Sequence, residues 1–324
     1  MAFPIDIIPL PIRTDRTLRA VPYVTYSLCF INLFVHLINM RLSEYQMLQV
    51  DRTYGFIISD PSPISLFTHA FLHGDIIHLG GNLLILWLVG TVLEAGIGST
   101  LFLLLYLASM VTSVLLYGLI GHIFLPDSLN IPLIGASGAI SGVTGYAAFR
   151  YFRIRVFSIL VLRLGDFPIP IPYWLPMWTY ALIFASRELL SGLMEIQGVE
   201  KGSVAHWAHI GGLILGIIAA LALKMVQEAK REFALEDSAK VASGEVPQGK
   251  SLQELTGLLR ENPDDPEVLE AIAGLSLLNG NQQDSRDYYL KAIPLFLANG
   301  NIDRAAINFL NVLRPFPETV LPPR

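Results

Sequence analysis

Six long apolar runs punctuate the chain, at about residues 21–40, 76–97, 99–122, 136–152, 173–198 and 203–226. A helix rises about 1.5 Å per residue and the hydrocarbon layer is about 30 Å thick, so most of these runs are long enough to span it. The fourth is the short one. From Ser137 to Arg150 it covers only about 20 Å, and Pro132 and Gly135 discourage an earlier helical start. With Arg150, Arg153 and Arg155 held at one interface, Ser137 is expected on the order of 10 Å below the opposite surface.

The pattern changes after residue 226. Residues 227–250 are charged and small, and read as a linker. Helical periodicity resumes over 251–314, with Leu255, Leu258 and Leu259, then Val268, Ile272 and Leu275, then Tyr289, Ala292 and Ile293, then Ala306, Phe309, Leu310 and Leu313. Asn279-Gly280-Asn281 and Asn299-Gly300-Asn301 mark turns between helices. The segment resembles tetratricopeptide-type helical hairpins, with Pro294 expected to interrupt one helix. Four parts are therefore expected: an N-terminal segment 1–20, a six-span body 21–226, a linker 227–250 and a helical domain 251–324. The fold class is all-α, a polytopic membrane bundle followed by a small α-hairpin domain.

Composition agrees. Of 324 residues, 53% are hydrophobic and 15% charged, and the mean hydropathy is +0.53, which is too apolar for a water-soluble chain. An integral, multi-pass membrane protein is expected, with the lipid bilayer as its first partner. The single cysteine, Cys29, rules out a disulfide within the chain or a cysteine metal site. No basic groove with interleaved aromatics suggests nucleic acid. The first twenty residues lack the pattern of a cleaved leader and carry Asp6 and Asp15, so the first span is expected to stay attached. Orientation follows from Lys and Arg. Arg13, Arg16, Arg19, Arg150, Arg153, Arg155, Arg163, Lys224, Lys230 and Arg231 fall on one side of a six-span serpentine, against mainly Arg41, Arg52 and Lys201 on the other. The positive-inside rule makes the first side cytoplasmic, with both termini inside and Ser137 opening outward. The loop 41–75 is half apolar and is expected to lie in the outer interface.

Chemistry concentrates in two small-residue runs. In Gly135-Ala136-Ser137-Gly138-Ala139-Ile140-Ser141-Gly142, continuing to Gly145, a helix puts Ser137, Gly138, Ser141, Gly142 and Gly145 on one face. In Ala205-His206-Trp207-Ala208-His209-Ile210-Gly211-Gly212, with Gly216 beyond, His209, Gly212 and Gly216 share a face. Bare backbone on both faces allows close helix approach. The two faces are expected to meet, with Ser137 touching His209. Glycines alone commonly serve packing, but a histidine at membrane depth is costly and points to function.

Span two opens with His69-x3-His73-x4-His78-x3-Asn82, in which His78 and Asn82 lie one turn apart on one face. Both offer donors, and donors in a dry site suit a developing oxyanion. The spacing of His69 and His73 is zinc-like, but no Glu follows His69 in the HExxH manner and Asn82 is a poor zinc ligand. No metal and no cofactor are expected. Arg187 and Glu188 interrupt span five, as a self-satisfied pair or as a weak point that lets the span tilt.

Together, His73…His78-x3-Asn82, Gly135-Ala136-Ser137-Gly138 and Ala208-His209-Ile210-Gly211-Gly212 resemble the rhomboid family of intramembrane serine proteases. The likeness covers about 21–226, with motifs on spans two, four and six in order, and Glu94 also fits the family pattern. The resemblance implies a serine endopeptidase that cuts transmembrane protein substrates near the outer membrane face, in a bacterial-type inner membrane. Carried onto these residues, Ser137 is the nucleophile and His209 the base, while His78, Asn82 and the Ser137 N–H form the oxyanion hole. The alternative is a rhomboid-like pseudoprotease that binds membrane helices without cleaving them; retention of both Ser137 and His209 argues against it. Family members often carry an aromatic residue four positions after the nucleophile, where this chain has Ser141. No Asp is placed to orient His209, so packing against the glycine face is expected to hold it. Residues 251–314 are expected to bind a protein partner.

Overall fold

The structure, a computed structural model, describes residues 7–16, 20–164, 167–199 and 205–313. Asp6, Arg19, Lys201 and residues 314–324 lie outside the described residues. The chain divides into two compact units, Met1–Met225 and Val226–Arg324.

In the first unit, strand β1 (Ile7–Thr14) precedes helix α1 (Tyr23–Asn39), α2 (Glu44–Tyr54) and a short α3 (Ser65–Thr68). Span two is one helix, Ile76–Ile97, made of α4 (Ile76–Ile85), a π-helical turn (Leu86–Gly90) and α5 (Thr91–Ile97). Then follow α6 (Ser99–Phe124), α7 (Ser137–Arg150), strands β2 (Arg155–Leu164) and β3 (Phe167–Pro176), α8 (Met177–Ile196) and α9 (His206–Ala222). Each of the six apolar runs thus contains a helix, and Ile76–Ile97 and Ser99–Phe124 are each long and apolar enough to cross a membrane. The first run is turned inside out relative to a water-soluble helix. It buries Thr25, Asn32 and His36 and exposes Phe30 (65%), Phe34 (54%) and Leu37 (50%). Such a face is stable against lipid and costly against water. The protein is an integral membrane protein with an all-α bundle.

The bundle core is built on α6, whose Phe102, Tyr106, Met110 and Val114 are fully buried, against Leu86 and Leu93 of span two and Val143, Tyr146 and Ala147 of α7. Glu94 ties two helix starts together. Its carboxylate accepts the Val24 and Thr25 N–H groups at 2.9 and 2.7 Å, the Thr25 hydroxyl at 2.7 Å and the Ser99 hydroxyl at 2.6 Å. These are N–H groups that the first turn of a helix cannot satisfy itself. The loop 41–75 contains α2, which starts on a capping box between Ser43 and Gln46. Phe56 exchanges backbone hydrogen bonds with Leu133, at 3.0 and 2.8 Å. It is buried with Val114, Tyr117, Leu133 and Ala208, so this part of the loop is pinned beside the segment leading into Ser137.

A three-stranded antiparallel sheet, β1-β2-β3, is an addition that apolar periodicity alone did not suggest. Its register pairs Ile7 with Leu162 and Thr14 with Val156, and Arg155 with Pro176 through Leu164 with Phe167. The prolines at 168, 170 and 172 sit on an edge strand, where a missing N–H can face away from the ladder. Arg13 lies over the Phe157 and Trp174 rings, at 5.4 and 5.7 Å, and Arg16 over Tyr151 at 4.8 Å.

The second unit holds α10 (Met225–Lys240), α11 (Gln248–Glu261), α12 (Pro266–Leu278), α13 (Gln282–Ala298) and α14 (Ile302–Leu313). The stretch expected as a linker, 227–250, is instead helical over most of its length. The reason is packing: Ala234 of α10 is buried in one cluster with Leu255, Val268, Ile272 and Leu275. A second cluster joins Leu269, Ala292, Phe296 and Ala305. Pro294 does not break α13, which runs through it. Gly280 and Gly300 close α12 and α13 alike, with Asn281 N–H bonded to Ser276 and Asn301 N–H to Phe296. Arg231 of α10 clasps the start of α12, contacting Asp265 and, at 2.8 Å, Glu267.

Candidate active site

The site is assembled by close contact between α7 and α9. A Cβ built on Gly212 would overlap the Gly138 carbonyl, and one on Gly216 would overlap that of Gly142. Ser113 of α6 closes the other side, its Cβ 2.6 Å from where a Gly138 Cβ would lie. With no side chains between them, the helices approach backbone to backbone. Ser137 and His209, 72 residues apart in sequence, thereby come within reach, with Ser137 Oγ 2.7 Å from His209 Nε2.

Ser137 is the first residue of α7, and Ala136 before it offers no side-chain cap. The N-terminal N–H groups of α7 are of the kind left without intrahelical partners, and they carry the positive end of the helix dipole toward the serine. The turn into the helix is made by Gly135, at φ +117°, a conformation L side chains rarely adopt. A Cβ there would also lie 2.8 Å from His78 Nε2 and 3.7 Å from Asn82 Nδ2. Both donors therefore close over the backbone two residues before Ser137. Asn82 Nδ2 is buried with no hydrogen-bond partner among the described residues, which leaves it free to receive an anionic oxygen. Asp75 caps α4 through the Ile77 and His78 N–H groups, both at 2.8 Å, and so sets the helical turn that carries His78. The His73 ring stands edge-on to His78 at 5.1 Å. His69 stays with the loop, its ring N–H donating to the Ser65 carbonyl at 2.9 Å while its own carbonyl accepts from Gly135 N–H at 2.9 Å.

Two residues that sequence reasoning did not assign to the site, Glu188 and Phe184, contact the imidazole of His209, and a third, His206, shares the Glu188 carboxylate. Glu188 of α8 is 2% exposed, and its Oε2 accepts from His209 Nδ1 and from His206 Nδ1, both at 2.8 Å. Phe184, one turn earlier on α8, packs its ring 5.7 Å from that of His209. The expectation that glycine packing alone holds His209 is thus corrected: a carboxylate is present, supplied by Glu rather than Asp. Adjacency to Arg187 drew Glu188 toward a local pair, but Arg187 is exposed while Glu188 is buried against α9. The available signal was His206 and His209 at i, i+3, two imidazoles on one face that need an acceptor in an apolar setting. Ser141 contributes no ring, and its hydroxyl donates back to the Ser137 carbonyl at 2.7 Å.

A serine and a histidine hydrogen-bonded at the start of a short helix, inside a bundle with apolar outer faces, define a class of polytopic membrane protein with a polar site among its helices. The Rhomboid domain family matches residues 61–225, just over half of the chain, and the chain belongs to that family. It is 27% identical over 201 residues to the mitochondrial rhomboid protein 1 of Saccharomyces cerevisiae, covering 60% of this chain and 50% of that one. Over 168 residues it is 32% identical to the rhomboid protease GluP of Bacillus subtilis, covering 49% and 25%. With the rhomboid protease GlpG of an Enterobacter species it shares 29% identity over 156 residues, covering 48% and 47%. The matches thus span half or less of each relative's length.

Proposed function

We propose that this chain is an intramembrane serine endopeptidase that cleaves transmembrane protein substrates near the outer membrane face. The observation that carries this reading is the 2.7 Å contact between Ser137 Oγ and His209 Nε2, since a serine hydroxyl becomes a competent nucleophile when an adjacent base takes its proton. Ser137 Oγ attacks the scissile carbonyl carbon as its proton passes to His209 Nε2. The resulting oxyanion accepts hydrogen bonds from His78, Asn82 and the Ser137 N–H. His209 then returns the proton to the leaving amine, and the C–N bond breaks, leaving an acyl group on Ser137. Water, deprotonated by the same imidazole, releases the acid product and restores the hydroxyl. No metal or cofactor takes part in this reading.

The outward direction rests on the excess of Lys and Arg at one end of the bundle. The pairing of β1 with β2 supports it by bringing Arg13 and Arg155 to one sheet. We read the membrane as a bacterial plasma membrane with both termini cytoplasmic, and 251–314 as a segment that contacts a protein partner. The test is cleavage of a single-span model substrate in proteoliposomes by the native protein, Ser137→Ala and His209→Ala. Cleavage by the native protein alone supports the reading. Equal cleavage by all three ends it, and substrate binding without cleavage by any assigns the chain to the non-cleaving class.

A further inference from the structure

Glu188 is a buried carboxylate in an apolar span, and such groups persist where partners compensate them. Here both partners are imidazoles of α9, His209 and His206, each reached through Nδ1 at 2.8 Å by the same oxygen. The far edge of the His209 ring faces Ser137 Oγ. Three helices, α7, α9 and α8, therefore contribute one group each to a continuous line from hydroxyl to imidazole to carboxylate.

Resting on the protease reading, we propose that Glu188 is a positioning residue for His209, so that this chain operates with a Ser137–His209–Glu188 triad in place of a Ser–His dyad. An acceptor at Nδ1 keeps the proton on that nitrogen and leaves the Nε2 lone pair aimed at the serine hydroxyl. When Nε2 takes the serine proton, the imidazolium charge forms 2.8 Å from a carboxylate that stays ionised. The Nδ1 proton does not transfer. Exclusion of water makes that attraction stronger than the same pair would have at a surface.

The surroundings fit the role. His206 Nδ1–H donates to the same Oε2 and limits rotation of the carboxylate, and His206 is itself buried. Phe184, four residues before Glu188 and so on the same face of α8, lies against the His209 ring. Ser141, one turn after Ser137, turns its hydroxyl to its own helix. Span five therefore supplies both the charge at Nδ1 and a ring against the imidazole, so any movement of α8 away from α9 disarms the base.

The experiment is kcat and KM of the full-length protein in proteoliposomes, with a single-span substrate, for the native chain, Glu188→Gln and Glu188→Asp. Gln keeps the size and an acceptor oxygen but not the charge. The expected result for Glu188→Gln is a fall in kcat of about 10²-fold, with KM within about twofold and thermal stability retained, and a partial return of kcat in Glu188→Asp. In parallel, ¹⁵N-imidazole-labelled protein is expected to show a downfield Nδ1–H proton resonance that His209→Asn assigns and Glu188→Gln removes. An unchanged kcat in Glu188→Gln overturns the proposal, as does a kcat loss fully accounted for by a smaller folded fraction, read by size-exclusion chromatography and circular dichroism instead of fluorophosphonate labelling of Ser137, which itself needs an active His209. Failure of the protease reading looks different: cleavage is then absent from the native protein or survives in Ser137→Ala.

Discussion

Gly212 has no side chain where the carbonyl of Gly138 fills the space a Cβ would occupy. That contact between two backbones sets the distance between α7 and α9, and with it the distance from serine to histidine. Gly212→Ala must push the helices apart, since the atom in the way is backbone and cannot rotate aside. A stability loss of about 1–3 kcal/mol is expected from overpacking, together with loss of cleavage. Gly80→Ala is the contrast: nothing lies within 4 Å of a Cβ there, and a mid-helix Gly→Ala gains about 0.5–1 kcal/mol. Thermal unfolding in detergent, measured beside cleavage, separates the two.

Asn82 offers a second measurable effect. Its Nδ2 is buried and unpartnered among the described residues, so replacing it leaves no orphaned group behind. Asn82→Leu is expected to lower kcat by about 10²–10³-fold, the usual cost of removing one oxyanion donor. KM changes little, because the bond forms only with the tetrahedral intermediate. An effect on KM alone would assign Asn82 to substrate binding.

Glu94 acts far from the chemistry. Its four accepted hydrogen bonds anchor the starts of α1 and α6. Bonds to a charged group contribute about 1.5–3 kcal/mol each. Glu94→Ala is expected to lower the unfolding temperature and the yield of folded protein, while kcat per labelled serine stays near the native value. A selective loss of kcat would instead tie Glu94 to the site.

Acid should loosen the second unit through Asp265. Burial alone would raise its carboxyl, but the Arg231 guanidinium and the Val268 and Glu267 N–H groups hold it below the usual range. A group whose folded-state value is depressed contributes fully above the unfolded carboxylate value of about 3.9 and loses that contribution as pH falls through the folded value. The protection of amides in 226–313, taken relative to intrinsic exchange at each pH, is therefore expected to fall below about pH 4. Asp265→Asn should exchange faster at neutral pH and show a flatter response to acid.

The apolar runs, the small-residue faces and the expectation that Ser137 meets His209 were legible because apolar run length and glycine spacing are local properties of a helix; the assignment of His78 and Asn82 to the same site came from the family resemblance. Such properties do not fix how far each helix is rotated about its axis. Glu188 beside Arg187 reads as a local pair until α8 is turned to face α9, and Phe184 is one apolar residue among many until the same turn brings it to His209. The sheet required pairing between 7–14 and 155–164, far apart in sequence, through a partner strand whose prolines argue against a strand when read alone. Likewise 225–240 is charged enough to pass for a linker, and Ala234 reveals a buried face only when Leu255 and Val268 pack on it. The sequence by itself determined which residues can react; long-range packing decided which of them touch, because contacts between helices depend on rotations and pairings that no single segment encodes.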